Sequence, residues 1–218
     1  MRHCLYILDE PSITRMSSLK PFKTLLQPVE GLYKEKGSKF LSKAYPVETE
    51  EEIKKLLAEL RKEYYDARHV CYAFSLQAPF LNERGNDDGE PPHSAGTPIL
   101  NQIKSFELSN VLVVVVRYFG GTKLGVSGLI QAYKTAAEEA LSKAEIITIE
   151  PKERYRIILP YDYTGHVMRW IKELNGNILS ENKREQYELF IETPLEREAA
   201  LKGKCEPFGD IIKVVRLF

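Results

Sequence analysis

The sequence predicts an α+β protein, and two observations carry this prediction. The first is the apolar run Val111 to Val116, which contains five valines and precedes a glycine-rich loop and an amphipathic segment. β-Branched residues favour extended backbone, and an uninterrupted apolar run is typical of a strand buried on both faces. The second is the order β-α-β-β-α-β after residue 150. This is the ferredoxin-like order, in which two helices cover one face of an antiparallel sheet.

Composition limits the classes of function. The chain has 218 residues, with 31 basic and 31 acidic side chains. Because the formal net charge is zero, any binding to nucleic acid must come from a local basic patch. The three cysteines are far apart and form no C-x-x-C, which argues against a disulfide framework or a zinc site and suits a reducing cytosol. No apolar stretch is long enough for a signal peptide or a membrane span, so we expect a cytoplasmic protein.

The first elements follow an N-terminal stretch, residues 1–26, that carries little pattern; its natural start is Met1 or Met16. Two short strands, residues 29–33 and 39–45, flank a polar turn and form a lysine-rich hairpin. A helix then begins at Thr49, with Glu52 at capping-box spacing. Residues 69–76 read as a further strand.

Residues 77–97 are predicted to be a long loop, which in a compact domain is usually functional or disordered. Its motif contains three carboxylates and two glycines: Asp87, Asp88, Gly89, Glu90 and Gly96. The carboxylates do not have EF-hand spacing, so a metal site is disfavoured. We expect them to accept hydrogen bonds from backbone N–H groups or to pair with Arg117 or Lys123. A helix is expected from Pro98 to Phe106.

The loop after the valine strand is basic and glycine-rich. It contains Arg117, Tyr118, Phe119, Gly120, Gly121, Lys123 and Gly125. A helix start offers unpaired N–H groups and the positive end of its dipole, so this loop suits an anion; the alternative is a tight structural turn with solvated charges. The spacing fits neither a P-loop nor a dinucleotide fingerprint, and we predict no cofactor.

The remaining elements are assigned from periodicity and capping. Strands are expected at residues 153–159, 177–180, 186–192 and 210–217. A helix is expected from Tyr163 to Leu174, with Gly176 beyond its end. A second helix is expected at Thr193, which has capping-box spacing to Glu196.

Several motifs resemble the IMPACT family, and specifically its bacterial YigZ-like members. The resemblance covers about Gly31 to the C-terminus and is strongest before residue 145. Its motifs are residues 37–40, 67–73, 87–91, 95–100 and 115–129.

The resemblance implies two domains after the extension at 1–26. Residues 27–145 would form a ribosomal-protein-type α/β sandwich similar to domain IV of elongation factor G. Residues 150–218 would form a ferredoxin-like domain similar to domain V of that factor.

The resemblance also implies a link to translation, because eukaryotic IMPACT proteins interfere with activation of a kinase that phosphorylates an initiation factor. We expect an RNA-binding or ribosome-associated factor. Phosphate contacts would come from Arg117, Lys123, Lys39 and Arg68, and Tyr118 and Phe119 would be available for stacking. One alternative is an enzyme that binds a phosphorylated small molecule between the loops at 85–98 and 117–128; no nucleophile–base arrangement supports catalysis. Another is a module that binds translation-regulatory proteins.

Overall fold

The computed structural model describes residues 21–77 and 81–217. The chain divides into two compact units, one formed by Phe22–Ile149 and the other by the C-terminal part of the chain from Glu150. None of the helices among the described residues is long and apolar enough to cross a membrane. Both units combine helices with antiparallel sheets, which confirms the predicted α+β class.

The first unit is built on a five-stranded antiparallel sheet in the order β2-β3-β6-β4-β5. A separate ribbon pairs β1 with β7. The elements are β1 Phe22–Leu25, β2 Val29–Glu35, β3 Ser38–Pro46, α1 Glu50–Glu63, β4 His69–Leu76, β5 Asn82–Asn86, α2 Gly96–Ser105, β6 Val111–Tyr118, α3 Gly125–Leu141 and β7 Ile146–Ile149.

Strand β6 lies in the centre of this sheet, and its residues from Val111 to Arg117 are buried. On one face, Val113 and Val115 pack in a cluster with side chains of α2 and α3. On the opposite face, Leu112, Val114 and Val116 pack in a cluster with side chains of α1. The valine run is therefore a strand buried on both faces, as its composition predicts.

Helix α1 begins at the predicted capping box. Thr49 Oγ1 accepts a hydrogen bond from the Glu52 backbone N–H at 3.2 Å, and a Glu52 carboxylate oxygen accepts one from the Thr49 N–H at 3.4 Å. Ile53 and Leu60 are its buried residues. This helix start depends on neighbours in sequence, which explains why local pattern finds it.

Two expectations for the first unit need correction. Most of the predicted extension at 1–26, including the question of Met1 or Met16, lies outside the described residues, but Phe22–Leu25 form β1. The predicted loop at 77–97 contains strand β5, and α2 begins at Gly96 rather than Pro98. Among the described residues β5 is a polar edge strand paired with β4 alone, so no apolar alternation marks it.

The second unit has the order β-α-β-β-α-β and a four-stranded antiparallel sheet in the order β11-β8-β10-β9. Its elements are β8 Lys152–Leu159, α4 Thr164–Glu173, β9 Asn177–Lys183, β10 Tyr187–Pro194, α5 Glu198–Cys205 and β11 Lys213–Leu217. Residues of β8, β10, α4 and α5 share one core cluster. This is the element order predicted for the ferredoxin-like domain.

The predicted helix start at Thr193 is wrong. Thr193 belongs to β10 and is buried, and its hydroxyl donates to the Leu174 carbonyl at 3.3 Å. The helix begins later, at Glu198. The spacing of a capping box is present, but pairing of Thr193 with Glu153 on β8 extends the strand through this residue.

Candidate nucleic-acid interface

The two loops predicted to form a site meet at a buried ion pair. Arg117, the seventh residue of β6, lies opposite Phe40 of β3 and therefore on the α2–α3 side of the sheet. Its Nη1 donates to Oε1 of Glu90 at 2.5 Å. The two side chains are only 8% and 4% exposed. The sequence expectation that a loop carboxylate pairs with Arg117 is confirmed, and the pair lies in the interior.

Further polar groups surround Glu90. The Tyr133 hydroxyl donates to the same Oε1 at 2.8 Å, and His69 Nε2 lies 3.9 Å from it. The Cys71 thiol lies 3.4 Å from the Tyr133 oxygen. Burial, together with the neighbouring Cys71 and Glu90, raises the pKa of Tyr133, and burial raises the pKa of the Cys71 thiol. We therefore expect the Cys71 thiol, which also donates to the Asp87 carbonyl at 3.0 Å, to be protonated and weakly nucleophilic.

Asp87 organises the start of α2. Its Oδ1 accepts from the N–H groups of Ala95 and Gly96 at 2.9 and 2.8 Å, and its Oδ2 accepts from the His93 N–H at 2.8 Å. Burial of the Asp87 carboxyl opposes ionisation, but these three backbone donors together hold its pKa below the ordinary value. The prediction that a carboxylate of this loop caps backbone N–H groups is confirmed.

Asp88 attaches the same loop to β4 and α1. Its Oδ2 accepts from the Val70 N–H at 2.6 Å, its carbonyl accepts from His69 Nδ1 at 2.8 Å, and Arg61 forms an ion pair with its carboxylate. Asp88 and Gly89 both have positive φ, at 45° and 83°. The loop motif is thus an ordered connection whose carboxylates are used internally.

The glycines of the loop after β6 have two different roles. Gly120 lies against the turn between β2 and β3: a Cβ there would be 1.8 Å from the carbonyl carbon of Gly37. The Gly120 N–H also donates to Ser38 Oγ at 3.1 Å. Gly121 and Gly125 instead have positive φ, at 88° and 72°, with open space around them. Gly120 therefore joins two sequence motifs by close backbone contact.

Two lysines and a tyrosine lie on the opposite side of the same sheet, next to Phe119, whose ring centroid is 5.7 Å from the Arg117 guanidinium carbon. Lys34 of β2 is directly opposite Lys39 of β3, which is opposite Tyr118 of β6. These side chains line a shallow depression of about 500 Å³, and its other lining residues are Leu32, Gly37, Leu41 and Phe119. We call this depression the hairpin surface. Phe119 is 49% exposed.

Tyr118 is fixed at the margin of the hairpin surface. Its hydroxyl donates to Asp66, just beyond α1, at 2.8 Å. Burial and this hydrogen bond raise the pKa of Tyr118 to about 12. The Tyr118 side chain is therefore held in place by a hydrogen bond within the protein.

The structure separates the predicted phosphate contacts. Lys39 belongs to the hairpin surface, Lys123 and Arg68 are exposed, and Arg117 is buried. Binding by the exposed residues stays a prediction. Lys34 was missed as a site residue, although strand alternation places it on the same face as Leu32 and could have identified it.

Comparisons with known proteins assign the chain to a family. Residues 36–141 match the family model described as the Impact N-terminal domain. An IMPACT family member from the pol 5′ region of Thermus thermophilus is 46% identical over 60% of this chain and 69% of its own length. IMPACT family member YigZ of Escherichia coli (strain K12) is 28% identical over 84% of this chain and 90% of its own length. The chain therefore belongs to the IMPACT family.

Two further relatives extend this result. IMPACT family member YvyE of Bacillus subtilis (strain 168) is 32% identical over 62% of this chain, which spans 63% of that relative's length. A solved structure titled as that of a hypothetical protein is 26% identical, with a TM-score of 0.65, and the match covers 92% of this chain and 98% of the other. The likeness to this solved structure includes both units of the fold.

Proposed function

We propose that this protein is an RNA-binding or ribosome-associated factor linked to the regulation of translation, and that the hairpin surface contacts single-stranded RNA. The proposal includes a cytoplasmic location. One observation carries it: Lys34 and Lys39 lie directly opposite each other, and neither forms an ion pair with any residue in 21–77 or 81–217. Like charges directly opposite in a sheet are destabilising. An anionic ligand would offset that repulsion.

The next lysine along β3 provides a comparison. Lys43 lies opposite Glu30, with its Nζ 2.9 Å from that carboxylate and 3.3 Å from the carboxylate of Glu63. The charge of Lys43 is therefore neutralised by the protein itself. Lys34 and Lys39 have no such compensation, which favours phosphate as their partner.

The aromatic residues favour single strands over duplexes. Phe119 is half exposed beside the two lysines, and base–aromatic stacking contributes about 1–3 kcal/mol per base in single-strand binding. Bases inside a duplex are already stacked and offer no free face to such a ring. Arg117 is outside the proposed contact set because its guanidinium is directed at Glu90 in the interior.

The link to translation rests on family membership. Domains similar to domains IV and V of elongation factor G are part of this proposal, because the sequence resemblance implies them. Ribosomal RNA or a translation-regulatory protein would then be the physiological partner.

Binding of labelled single-stranded RNA, duplex RNA and DNA by the full chain, at several salt concentrations, tests the proposal. In Lys34→Gln/Lys39→Gln we expect weaker single-strand binding and a salt slope reduced by about 1.4, since each phosphate contact on a single strand contributes about 0.7. Phe119→Ala should weaken binding about 5- to 150-fold, the equivalent of one stacked base.

The matched control is Lys54→Gln/Lys55→Gln, which removes the same charge from exposed positions of α1. Its RNA affinity should equal that of the unmodified chain. Equal losses in both double variants would mean that only net charge matters. No binding of any nucleic acid at low salt would contradict the proposed function and leave a protein partner to be sought.

A further inference from the structure

A second surface feature lies between α2 and α3. Here a groove of about 340 Å³ is lined by residues of both helices and of the turn before α2. Thr97 and Asn101 are four residues apart on α2, and Ile130 and Lys134 are four apart on α3. That spacing places each pair on one helix face. The groove shares no lining residue with the hairpin surface.

Gln102 is a buried polar group that borders the groove. It is only 7% exposed, and its side-chain oxygen accepts a hydrogen bond from Ser105 Oγ at 3.4 Å. Its amide nitrogen donates to no group in the part of the chain that the structure describes. Because Gln102 lines the groove, this nitrogen is available to donate to a ligand there.

Lys134 supplies the one permanent charge among the residues that line the groove. Lys134 is exposed and forms no ion pair with the described residues, and His93 lies on the other side of the groove with Nδ1 3.2 Å from Thr97 Oγ1. The residues that line the groove include no carboxylate. An anion is therefore the complementary ligand, and a single permanent cation suits one negative charge better than the two of a phosphate monoester.

The rest of the groove is apolar. Its apolar lining residues are Pro98, which is buried, and Ile130, which is 41% exposed. A volume of about 340 Å³ is near the lower end of small-molecule sites, which are about 300–1,000 Å³. This size favours a small ligand over a docked peptide helix.

From these observations we infer that the groove between α2 and α3 binds a small organic carboxylate with a short branched apolar chain. The carboxylate accepts hydrogen bonds from the Gln102 and Asn101 amides and faces the Lys134 ammonium. The apolar chain packs against Pro98 and Ile130. This site is separate from the proposed RNA contact, so either can fail while the other stands.

The test is an NMR titration of the ¹⁵N-labelled full chain with 4-methylpentanoate, followed up to about 10 mM, tenfold above a weak millimolar dissociation constant. We expect saturable shifts of the Thr97, Asn101 and Ile130 amides. The neutral isostere 4-methylpentanamide should bind at least about tenfold more weakly, because a charge-assisted hydrogen bond is worth about 1.5–3 kcal/mol. Lys134→Gln should weaken carboxylate binding by about 1.5- to 5-fold, the range expected for an exposed ion pair.

Lys143→Gln is the matched control, because Lys143 follows α3, is exposed and pairs with Glu139. It should leave carboxylate affinity unchanged. The inference is overturned if the carboxylate causes no shifts around the groove. Equal binding of acid and amide would overturn it too, as would unchanged affinity in Lys134→Gln.

Discussion

Replacement of Arg117 by methionine tests whether this residue is part of the interior. The Arg117 and Glu90 side chains are 8% and 4% exposed, and only Nη1 of the guanidinium reaches the carboxylate. Nε of Arg117 is buried without a partner in the described structure. Removal of one member of a buried pair leaves an uncompensated charge, which costs about 3–5 kcal/mol. We therefore expect Arg117→Met to lower the free energy of unfolding by about that amount.

A double variant measures the interaction energy between Arg117 and Glu90. In Arg117→Met/Glu90→Met both buried charges are gone, so the loss should be smaller than the sum of the two single losses by at least about 2 kcal/mol. The Tyr133 hydroxyl loses its acceptor in this variant, which sets a remaining cost of about 1–3 kcal/mol. Urea unfolding followed by far-UV circular dichroism measures each value.

A pair with the same separation provides the control. Arg156 Nη2 also lies 2.5 Å from a carboxylate oxygen, that of Glu188, but the two side chains are 39% and 19% exposed. Solvent and salt screen such a pair, so Arg156→Met should cost less than about 1 kcal/mol. Additive single losses at Arg117 and Glu90, or equal losses at Arg117 and Arg156, would refute the argument from burial.

Three further predictions concern packing, capping and thiol reactivity. Gly120→Ala should lower the free energy of unfolding by more than about 2 kcal/mol, because the new Cβ would meet backbone atoms. Gly203→Ala, on α5 with open space around it, should raise the free energy of unfolding by about 0.5–1 kcal/mol. Urea midpoints that shift equally in the two variants would contradict this prediction. Asp87→Ala should cost about 1–2 kcal/mol at pH 7. Since folding lowers the pKa of Asp87, the stability that this carboxylate contributes is present above its unfolded-state pKa and is lost as pH falls through its lower folded-state pKa. The melting temperatures of Asp87→Ala and of the unmodified protein should therefore converge as the pH is lowered from 7 to 3. Burial raises the pKa of the Cys71 thiol, and it raises the pKa of the Cys205 thiol to about 11. Iodoacetamide at pH 8 should therefore label both thiols at least about 100-fold faster in urea than in the native protein, as measured by peptide mass spectrometry. Rapid labelling of the native chain would show instead that these thiols are accessible.

The sequence reveals elements whose signal is local. The valine strand, the Thr49–Glu52 capping box and the helix that ends before Gly176 each depend on residues within a few positions. Asn175 has a positive φ of 53°, and the Gly176 N–H donates to the Ile171 carbonyl at 2.8 Å, which closes this helix as its composition predicts. Local patterns succeed here because neighbours in sequence supply the hydrogen bonds.

The elements that the sequence did not predict correctly are those that depend on strand pairing between distant segments. Strand β5 is polar, with Arg84 opposite Phe74, and only the hydrogen bonds of β4 reveal it as a strand. β1 pairs with a strand more than a hundred residues later in the chain. Thr193 has helix-start spacing but continues β10. In each case the partner strand decides the backbone conformation, and no local pattern encodes the partner.

For the candidate site, the sequence by itself determined which residues are chemically available: the loop carboxylates, the basic glycine loop and the lysine-rich hairpin. Only the tertiary structure decided which of them face solvent. Arg117 continues a strand that is covered on both sides, so a buried acceptor from Glu90 of another loop must accompany it. Lys34 and Lys39 lie on a part of the sheet with no carboxylate opposite them. The physical reason is that a charge is stable in the interior only with a partner, and that partner is set by packing across the fold.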